Sequence, residues 1–242
     1  MRLGIFSDVH SNLEALKTAL KFFDDMEVTQ YLCLGDLVGY GANPNECVEL
    51  IQNLRCTAVA GNHDFGVLKK TPTEDFNPEA AEALLWTQAQ LTETAKLYID
   101  ALALTERFEP CLLVHSSPSS PASWEYIFTM KEAIYEFNFF PTRICLIGHT
   151  HYPFAVVKTP DGSFHTLQES EFTIEPNNRY LINVGSVGQP RDGDPRACVA
   201  IFDNRTNKFL FRRLDYDIAT AQQKILKAGL PTYLAQRLAQ GR

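Results

Sequence analysis

The stretch VAGNHDFG (59–66) ends a small apolar run at Gly61 and then sets an amide, an imidazole and a carboxylate side by side. Met alone, Asn62, His63 and Asp64 are ordinary turn and helix-cap chemistry. Their place in the chain gives them a second meaning. TAVAG (57–61) has the length and composition of a short strand, so the polar triplet stands at a strand's carboxyl end. The same arrangement occurs four more times. RLGIF (2–6) leads to Asp8 and His10, YLCLG (31–35) to Asp36, CLLVH (111–115) ends on His115, and RICLIGH (143–149) carries His149 with His151 just beyond. Five of the six histidines therefore lie at or just past a predicted strand end. In open α/β sheets that edge is where ligands bind.

The connecting segments read as helices. Asn12 to Met26 places Leu13, Leu16, Leu20 and Phe23 at helical spacing, and Pro44 opens a second helix that runs to Asn53. Strand–helix–strand repetition with short links implies parallel, right-handed crossovers. From Phe76 to Leu104 the chain is helical and rich in Ala, Glu and Leu, and a further helix is expected near 130–139. After His151 the pattern changes to a hairpin turning at Asp161-Gly162, followed by strands in RYLINVGS, ACVAIFD and KFLFRRLD, the last two joined at 204–207. The tail from 217 to 239 is helical with a break at 229–231. A parallel half followed by a mostly antiparallel half implies an α/β protein: a four-layer α/β/β/α sandwich of two mixed β-sheets flanked by helices. Without repeats or low-complexity linkers the expectation is one domain, 1–242, with 76–107 and 118–140 as helical segments capping the strand-end edge.

Composition narrows the function. The 242 residues are 45% hydrophobic and 21% charged, with a formal net charge of −7 and no long run of one sign. That argues against general nucleic-acid binding and against a membrane surface as partner. No stretch approaches the roughly 20 apolar residues of a membrane span. The six cysteines form no C-x-x-C pair and several lie in apolar runs, which reads as reduced, buried thiols and a cytoplasmic location.

Seven strand-end side chains are candidate metal ligands: Asp8, His10, Asp36, Asn62, His115, His149 and His151. Asp8 with His10, and His149 with His151, are i, i+2 pairs, which on extended chain face the same way. Imidazoles, carboxylates and an amide without a thiolate argue against a structural zinc finger or an iron–sulfur centre, and several imidazoles argue against Ca²⁺ or Mg²⁺. Mn²⁺, Fe, Co²⁺, Ni²⁺ and Zn²⁺ fit, and seven ligands suit two ions sharing a carboxylate. His165, in the hairpin, is left without a role.

The ordered set D-V-H (8–10), G-D-L-V-G (35–39), G-N-H-D (61–64), V-H (114–115) and G-H-T-H (148–151) resembles the calcineurin-like metallophosphoesterase superfamily. GDLVGYGANPNEC and NVGSVGQPRDGDPRA are similar to a compact bacterial and archaeal phosphodiesterase branch, and the resemblance spans 2–215. It implies one metal on Asp8, His10, Asp36 and His151, a second on Asp36, Asn62, His115 and His149, and in-line attack on phosphorus by a hydroxide between them. It makes His63 the catalytic imidazole at the leaving oxygen, with Asp64 fixing its tautomer. Ser116 stands where the branch usually has Gly, and Val184 where it usually has Pro.

The segment VGSVGQPR (184–191) offers small residues, Gly185 and Ser186 among them, whose backbone donors can meet phosphate, and Arg191 as a forked donor. Trp124 and Tyr126 follow the His115 strand end, and two readings stay open for them, stacking on a nucleobase or packing in the core. The expected substrate is a small phosphodiester. The alternatives are a dinucleoside polyphosphate or a phosphoprotein, the latter weakened because FGVLKK follows GNHD without the arginine of the larger protein phosphatases. A non-catalytic scaffold, like the retromer subunit of this fold, predicts eroded ligands, and none is eroded here. The sequence leaves the oligomeric state and the choice of metal open.

Overall fold

The structure, a computed structural model, describes residues 1–242. Its first half alternates strands and helices: β1 Arg2–Phe6, α1 Leu13–Asp25, β2 Gln30–Cys33, α2 Pro44–Asn53, β3 Thr57–Ala58, α3 Asn62–Val67, α4 Pro78–Gln90 and α5 Glu93–Asp100. There follow β4 Thr105–Phe108, β5 Cys111–Val114, α6 Met130–Glu136 and β6 Ile144–Ile147. Six more strands, β7 Phe154–Lys158, β8 Phe164–Leu167, β9 Glu171–Thr173, β10 Arg179–Asn183, β11 Ala197–Asp203 and β12 Lys208–Leu214, precede α7 Ile218–Lys227 and α8 Thr232–Leu238. No helix is long and apolar enough to cross a membrane.

Two mixed six-stranded sheets form, in the orders β3-β2-β1-β11-β12-β9 and β4-β5-β6-β10-β7-β8. Their central strands are apolar throughout because both faces are covered, and alternate residues go to different layers. On β1, Leu3 and Ile5 face the other sheet while Phe6 faces the helices; on β6, Ile144 and Leu146 face inward while Cys145 and Ile147 face α6. On β11, Ala200 and Phe202 join the inter-sheet core while Ala197, Val199 and Ile201 pack under α1 and α2. Helices lie outside both sheets, which completes the four layers.

Local chemistry starts the helices where the sequence indicates. Asn12 accepts a hydrogen bond from the Ala15 amide at the start of α1, and Asn77, Thr92 and Asp217 do the same for α4, α5 and α7. Thr129 and Glu132 form a capping box on α6.

The structure departs from the sequence reading in three places. The strands expected at 31–35 and 57–61 end early, at Cys33 and Ala58, because the residues beyond turn away to carry side chains. The triplet after Gly61 is the first turn of a six-residue helix, α3. Thr105–Phe108, expected within a helical segment, is an exposed edge strand on β5; its alternation is too polar to signal a strand. Both sheets are mixed, as expected. β11, β12 and β9 extend the first sheet, β7 and β8 extend the second, and β10 runs parallel to β6.

The remaining helices are built into the packing. α4 and α5 place Leu84, Leu91, Ala95 and Ile99 in the core under the first sheet, while Ala80 and Ala83 meet α7 and α8. In 118–140, α6 covers the outer face of the second sheet through Ala133.

Phe202 is fully buried between the sheets. Phe202→Ala should lower unfolding stability by about 3–5 kcal/mol, the usual cost of removing a core aromatic, measured by urea titration. A cost within 1 kcal/mol would contradict the face-to-face packing.

Candidate metal centre

The strand ends bring six of the seven predicted ligands together in one buried site. Ligand atoms of Asp8, His10, Asp36 and His151 lie within 4.8 Å of one another, and those of Asp36, His115 and His149 do likewise. Asp36 belongs to both groups. Its Oδ2 is 3.6 Å from His10 Nε2 in one group and 3.3 Å from His115 Nε2 in the other. Asp8 Oδ1 is 3.2 Å from His151 Nε2.

Each histidine is held by its other ring nitrogen. Nδ1 of His10 donates to the Val38 carbonyl at 3.1 Å, that of His115 to Leu34 at 2.7 Å, and that of His151 to Gln189. His149 is reversed, with Nε2 donating to the Trp124 carbonyl at 2.8 Å and Nδ1 turned inward. This pins the rings so that the second nitrogen of each faces the cluster. His10 Nε2 meets His151 Nε2 at 3.1 Å, and His149 Nδ1 meets His115 Nε2 at 3.2 Å. Nitrogens paired in this way need a proton or a metal cation between them.

Two further atoms support that reading. Asp8 Oδ1 and Asn62 Oδ1 are buried and accept no hydrogen bond, a costly condition for isolated oxygens. The donor set of imidazole nitrogens, carboxylates and one amide therefore fits metal cations of borderline hardness.

Burial lowers the pKa of His10 and of His151, and takes that of His149 down to about 3. His115 goes the other way: burial opposes its charge, but Asp36 and Asp8 outweigh it and raise the group to about 9. Burial also disfavours the Asp8 and Asp36 anions, yet the surrounding histidines hold both below the usual carboxylate range. A cation at the second group would displace the His115 proton, so loading there should release a proton.

The backbone differs from the sequence expectation. The i, i+2 pairs are not on extended chain. Asp8, His10, Asp36, His149 and His151 all have positive φ, between 48° and 67°. Left-handed backbone costs roughly 1–2 kcal/mol per residue and is typical of functional sites held by their surroundings. Here the surroundings are close-packed loops. A Cβ on Gly188 would sit 1.9 Å from the Val9 carbonyl oxygen, and one on Gly61 would sit 2.1 Å from Asp36 Oδ1.

His63 lies among Tyr40, His10 and Phe76, with ring centroids 4.4, 4.8 and 5.0 Å away. Its Nδ1 is buried without a hydrogen-bond partner, and burial takes its pKa down to about 4. The expected support from Asp64 is not formed. Asp64 Oδ1 accepts the Leu37 and Val38 amides at 2.9 and 3.3 Å, and Oδ2 accepts the Gly61 amide at 3.0 Å. It holds the two ligand loops together instead of orienting His63. Burial and the neighbouring Asp36 raise its pKa to about 7, against three N–H donors that favour the anion.

One substrate contact is likewise corrected: the Gly185 amide is committed to Asn183 Oδ1 at 2.9 Å. The Ser186 hydroxyl donates to the Asp8 carbonyl at 2.9 Å and so braces the Asp8 loop. Arg191 stays at the site, donating to Gln189 Oε1 and to the Tyr40 hydroxyl at 3.2 and 3.3 Å. Trp124 is committed as well. Its indole N–H donates to Thr71 Oγ1 and its carbonyl orients His149. Tyr126 stacks on His149 with centroids 4.0 Å apart, and Phe128 stacks on Tyr126 at 5.3 Å. Sequence reasoning missed Tyr40 and Gln189, whose signal was their position within GDLVGYG and VGQPR.

The family model of the calcineurin-like phosphoesterase superfamily domain matches residues 1–207. The uncharacterized protein MJ0912 of Methanocaldococcus jannaschii is 40% identical over 245 residues, covering 99% of this chain and 98% of its own length. The crystal structure of a metallophosphoesterase from Sphaerobacter thermophilus superposes with a TM-score of 0.87 at 40% identity, covering 100% of this chain and 99% of that one. The hypothetical protein PH1004 from Pyrococcus horikoshii OT3, at 19% identity, shares the fold with a TM-score of 0.83 over 100% of this chain and 98% of its own.

Asp64→Ala strips an acceptor from three buried amides. The expected cost is about 3 kcal/mol or more, with reduced metal uptake because the freed loops carry Asp36 and Asn62. Asp64→Asn, which keeps one acceptor oxygen, should fall between. Urea unfolding with elemental analysis checks this; wild-type stability and metal content in Asp64→Ala would refute the bracing role.

Proposed function

The chain belongs to the calcineurin-like phosphoesterase superfamily, and on that premise we propose that it hydrolyses small phosphodiesters with two divalent or transition metal ions bound at the strand-end cluster. Asp8, His10, Asp36 and His151 would hold one ion, and Asp36, Asn62, His115 and His149 the other. The observation that carries this reading is the Asp36 carboxylate shared by two converging ligand groups. When bound, such a pair supplies positive charge for the phosphoryl oxygens and a nucleophile competent at neutral pH.

The chain's own residues account for the rest. Asp36 Oδ1 accepts the His63 amide at 2.8 Å, so the residue shared by the ligand groups also fixes where His63 begins. Uncharged through burial, with a ring nitrogen free of protein partners, His63 is suited to hydrogen-bond the departing oxygen as it gains negative charge, and the phosphoryl group's own charge favours proton transfer there. Arg191 offers forked donors to a non-reacting phosphoryl oxygen. The Tyr126–Phe128 stack leads from His149 outward, and Phe128 is 66% exposed, which gives an organic group of the ester an apolar surface. A protein substrate is disfavoured, since α3 continues through Gly66 and Val67 without an arginine.

The aryl-diester kcat/KM should exceed those for an aryl monoester and a phosphopeptide measured with one enzyme batch and defined metals; a phosphopeptide favoured tenfold would reverse the assignment. His63→Ala should keep both metals and lose about 10²–10⁴ in kcat, less with a nitrophenolate leaving group than with an alkyl alcohol. Asp36→Asn should lose metal as well as activity. A His63→Ala protein lacking a metal, or turning over an alkyl diester normally, would exclude the role given to His63.

A further inference from the structure

We infer that Arg237, carried by the C-terminal helices, joins Arg191 and the Tyr40 hydroxyl in a binding site for a second phosphate group of the substrate, beside the metal centre. The inference rests on the phosphoester reading of that centre and adds to it a substrate class: esters in which another phosphate neighbours the reacting one.

The helices α7 and α8 lie beyond the residues matched by the family model. They bury Leu230, Leu234 and Leu238 in a cluster with Tyr40, Ala80 and Ala83. This packing sets the Arg237 guanidinium over the Tyr40 ring, 4.2 Å from its centroid. Arg191 reaches the same ring, its guanidinium carbon 5.9 Å from the centroid and its Nη2 on the hydroxyl. The other side of the connection is the metal centre, since the Tyr40 ring lies 4.5 Å from that of His10 and 4.4 Å from that of His63. The tail is tied to the Arg191 loop as well: Gln189 Nε2 donates to the Arg242 carbonyl, and the Gly193 amide to that of Gly241.

Arg237 is only 6% exposed, and its Nε and Nη2 are buried with no hydrogen-bond partner. The paired arginines of this chain are Arg2, Arg196 and Arg213; neither Arg191 nor Arg237 has a carboxylate within ion-pair distance. Two cations thus share one ring with no protein anion between them. Stacking on Tyr40 offsets part of the burial of charge but leaves the Nε and Nη2 donors unmet. An unpaired buried guanidinium is destabilising, and a planar fork of donors matches phosphate oxygens. With the reacting phosphoryl group on the metals, a phosphate joined to it through a bridging oxygen is the anion that this placement suits.

Titrating metal-loaded protein with inorganic diphosphate and with inorganic phosphate, by calorimetry, tests the site without turnover. Arg237→Met, which keeps the stem, should weaken diphosphate binding about tenfold or more, the weight of one charge-assisted pair, and inorganic phosphate binding by less than about threefold. Arg237→Lys, which keeps charge but not the fork, should show a smaller loss in diphosphate affinity and serves if the Met variant fails to fold. In kinetics, KM for an aryl diphosphate ester should rise in Arg237→Met with kcat nearly unchanged, while KM for a simple aryl diester stays put. Free diphosphate should compete with the aryl diphosphate ester; non-competitive behaviour would make the ligand a free anion and overturn the substrate assignment. Equal diphosphate affinity in wild type and a folded Arg237 variant would overturn the site itself. A protein that binds diphosphate through Arg237 yet hydrolyses no ester would refute the phosphoesterase reading and leave the anion site standing.

Discussion

The arrangement depends on one carboxylate. Asp36 Oδ2 faces histidines of both ligand groups, and Oδ1 accepts the amide of His63 at the start of α3. A single side chain therefore sets the separation of the two groups and the position of the imidazole next to them. It does so while fully buried, where an isolated carboxylate is strongly disfavoured; the histidines around it hold it ionised. That charge calls for cations, which is why the ring nitrogens of the cluster face inward.

The site is expensive to build. Five of its ligand residues adopt left-handed backbone, and two of its oxygens have no hydrogen-bond donor in the protein. Such features persist only when the surroundings over-determine them. Here the surroundings are the inter-sheet core, anchored by Leu3, Ile5, Phe202 and Phe209, and a second shell of backbone carbonyls at Leu34, Val38, Trp124 and Gln189 that aims each imidazole. Asp64 does related work, tying the amides of residues 37, 38 and 61 into one unit. Stability stored in the sandwich is spent on strain at its edge.

The two sides of the site differ in chemistry. Toward Tyr126 and Phe128 the wall is aromatic and leads to solvent, whereas toward Tyr40 it is cationic, with Arg191 and Arg237 on one ring. An ester with an organic group on one side of the reacting phosphorus and negative charge on the other matches that polarity. The cationic side is assembled late in the chain, by helices that add no strand and no metal ligand.

Much of this was legible in the amino-acid sequence, because ligand chemistry and strand termini are both local signals. Apolar runs of strand length ending in Asp, His or Asn identify the α/β layer, its functional edge and the seven candidate ligands, and the order of those motifs identifies the superfamily. What a side chain does next to its neighbours was not legible. Asp64 reads as a catalytic residue but is consumed by the backbone amides of residues 37, 38 and 61, and the Gly185 amide reads as a phosphate donor but goes to the Asn183 side chain. Trp124 reads as a stacking surface or a core residue but acts through its carbonyl. Arg237 belongs to the helical tail and stacks on Tyr40, whose ring meets those of His10 and His63. The allocation of β7 to β12 between the sheets also depended on tertiary structure, since nothing in a strand's own residues says which neighbour it will pair with. Periodicity and residue type determine which elements form and which chemistry they bear. Long-range hydrogen bonding and close packing decide which donors, acceptors and charges remain unspent, and those are the groups left for function.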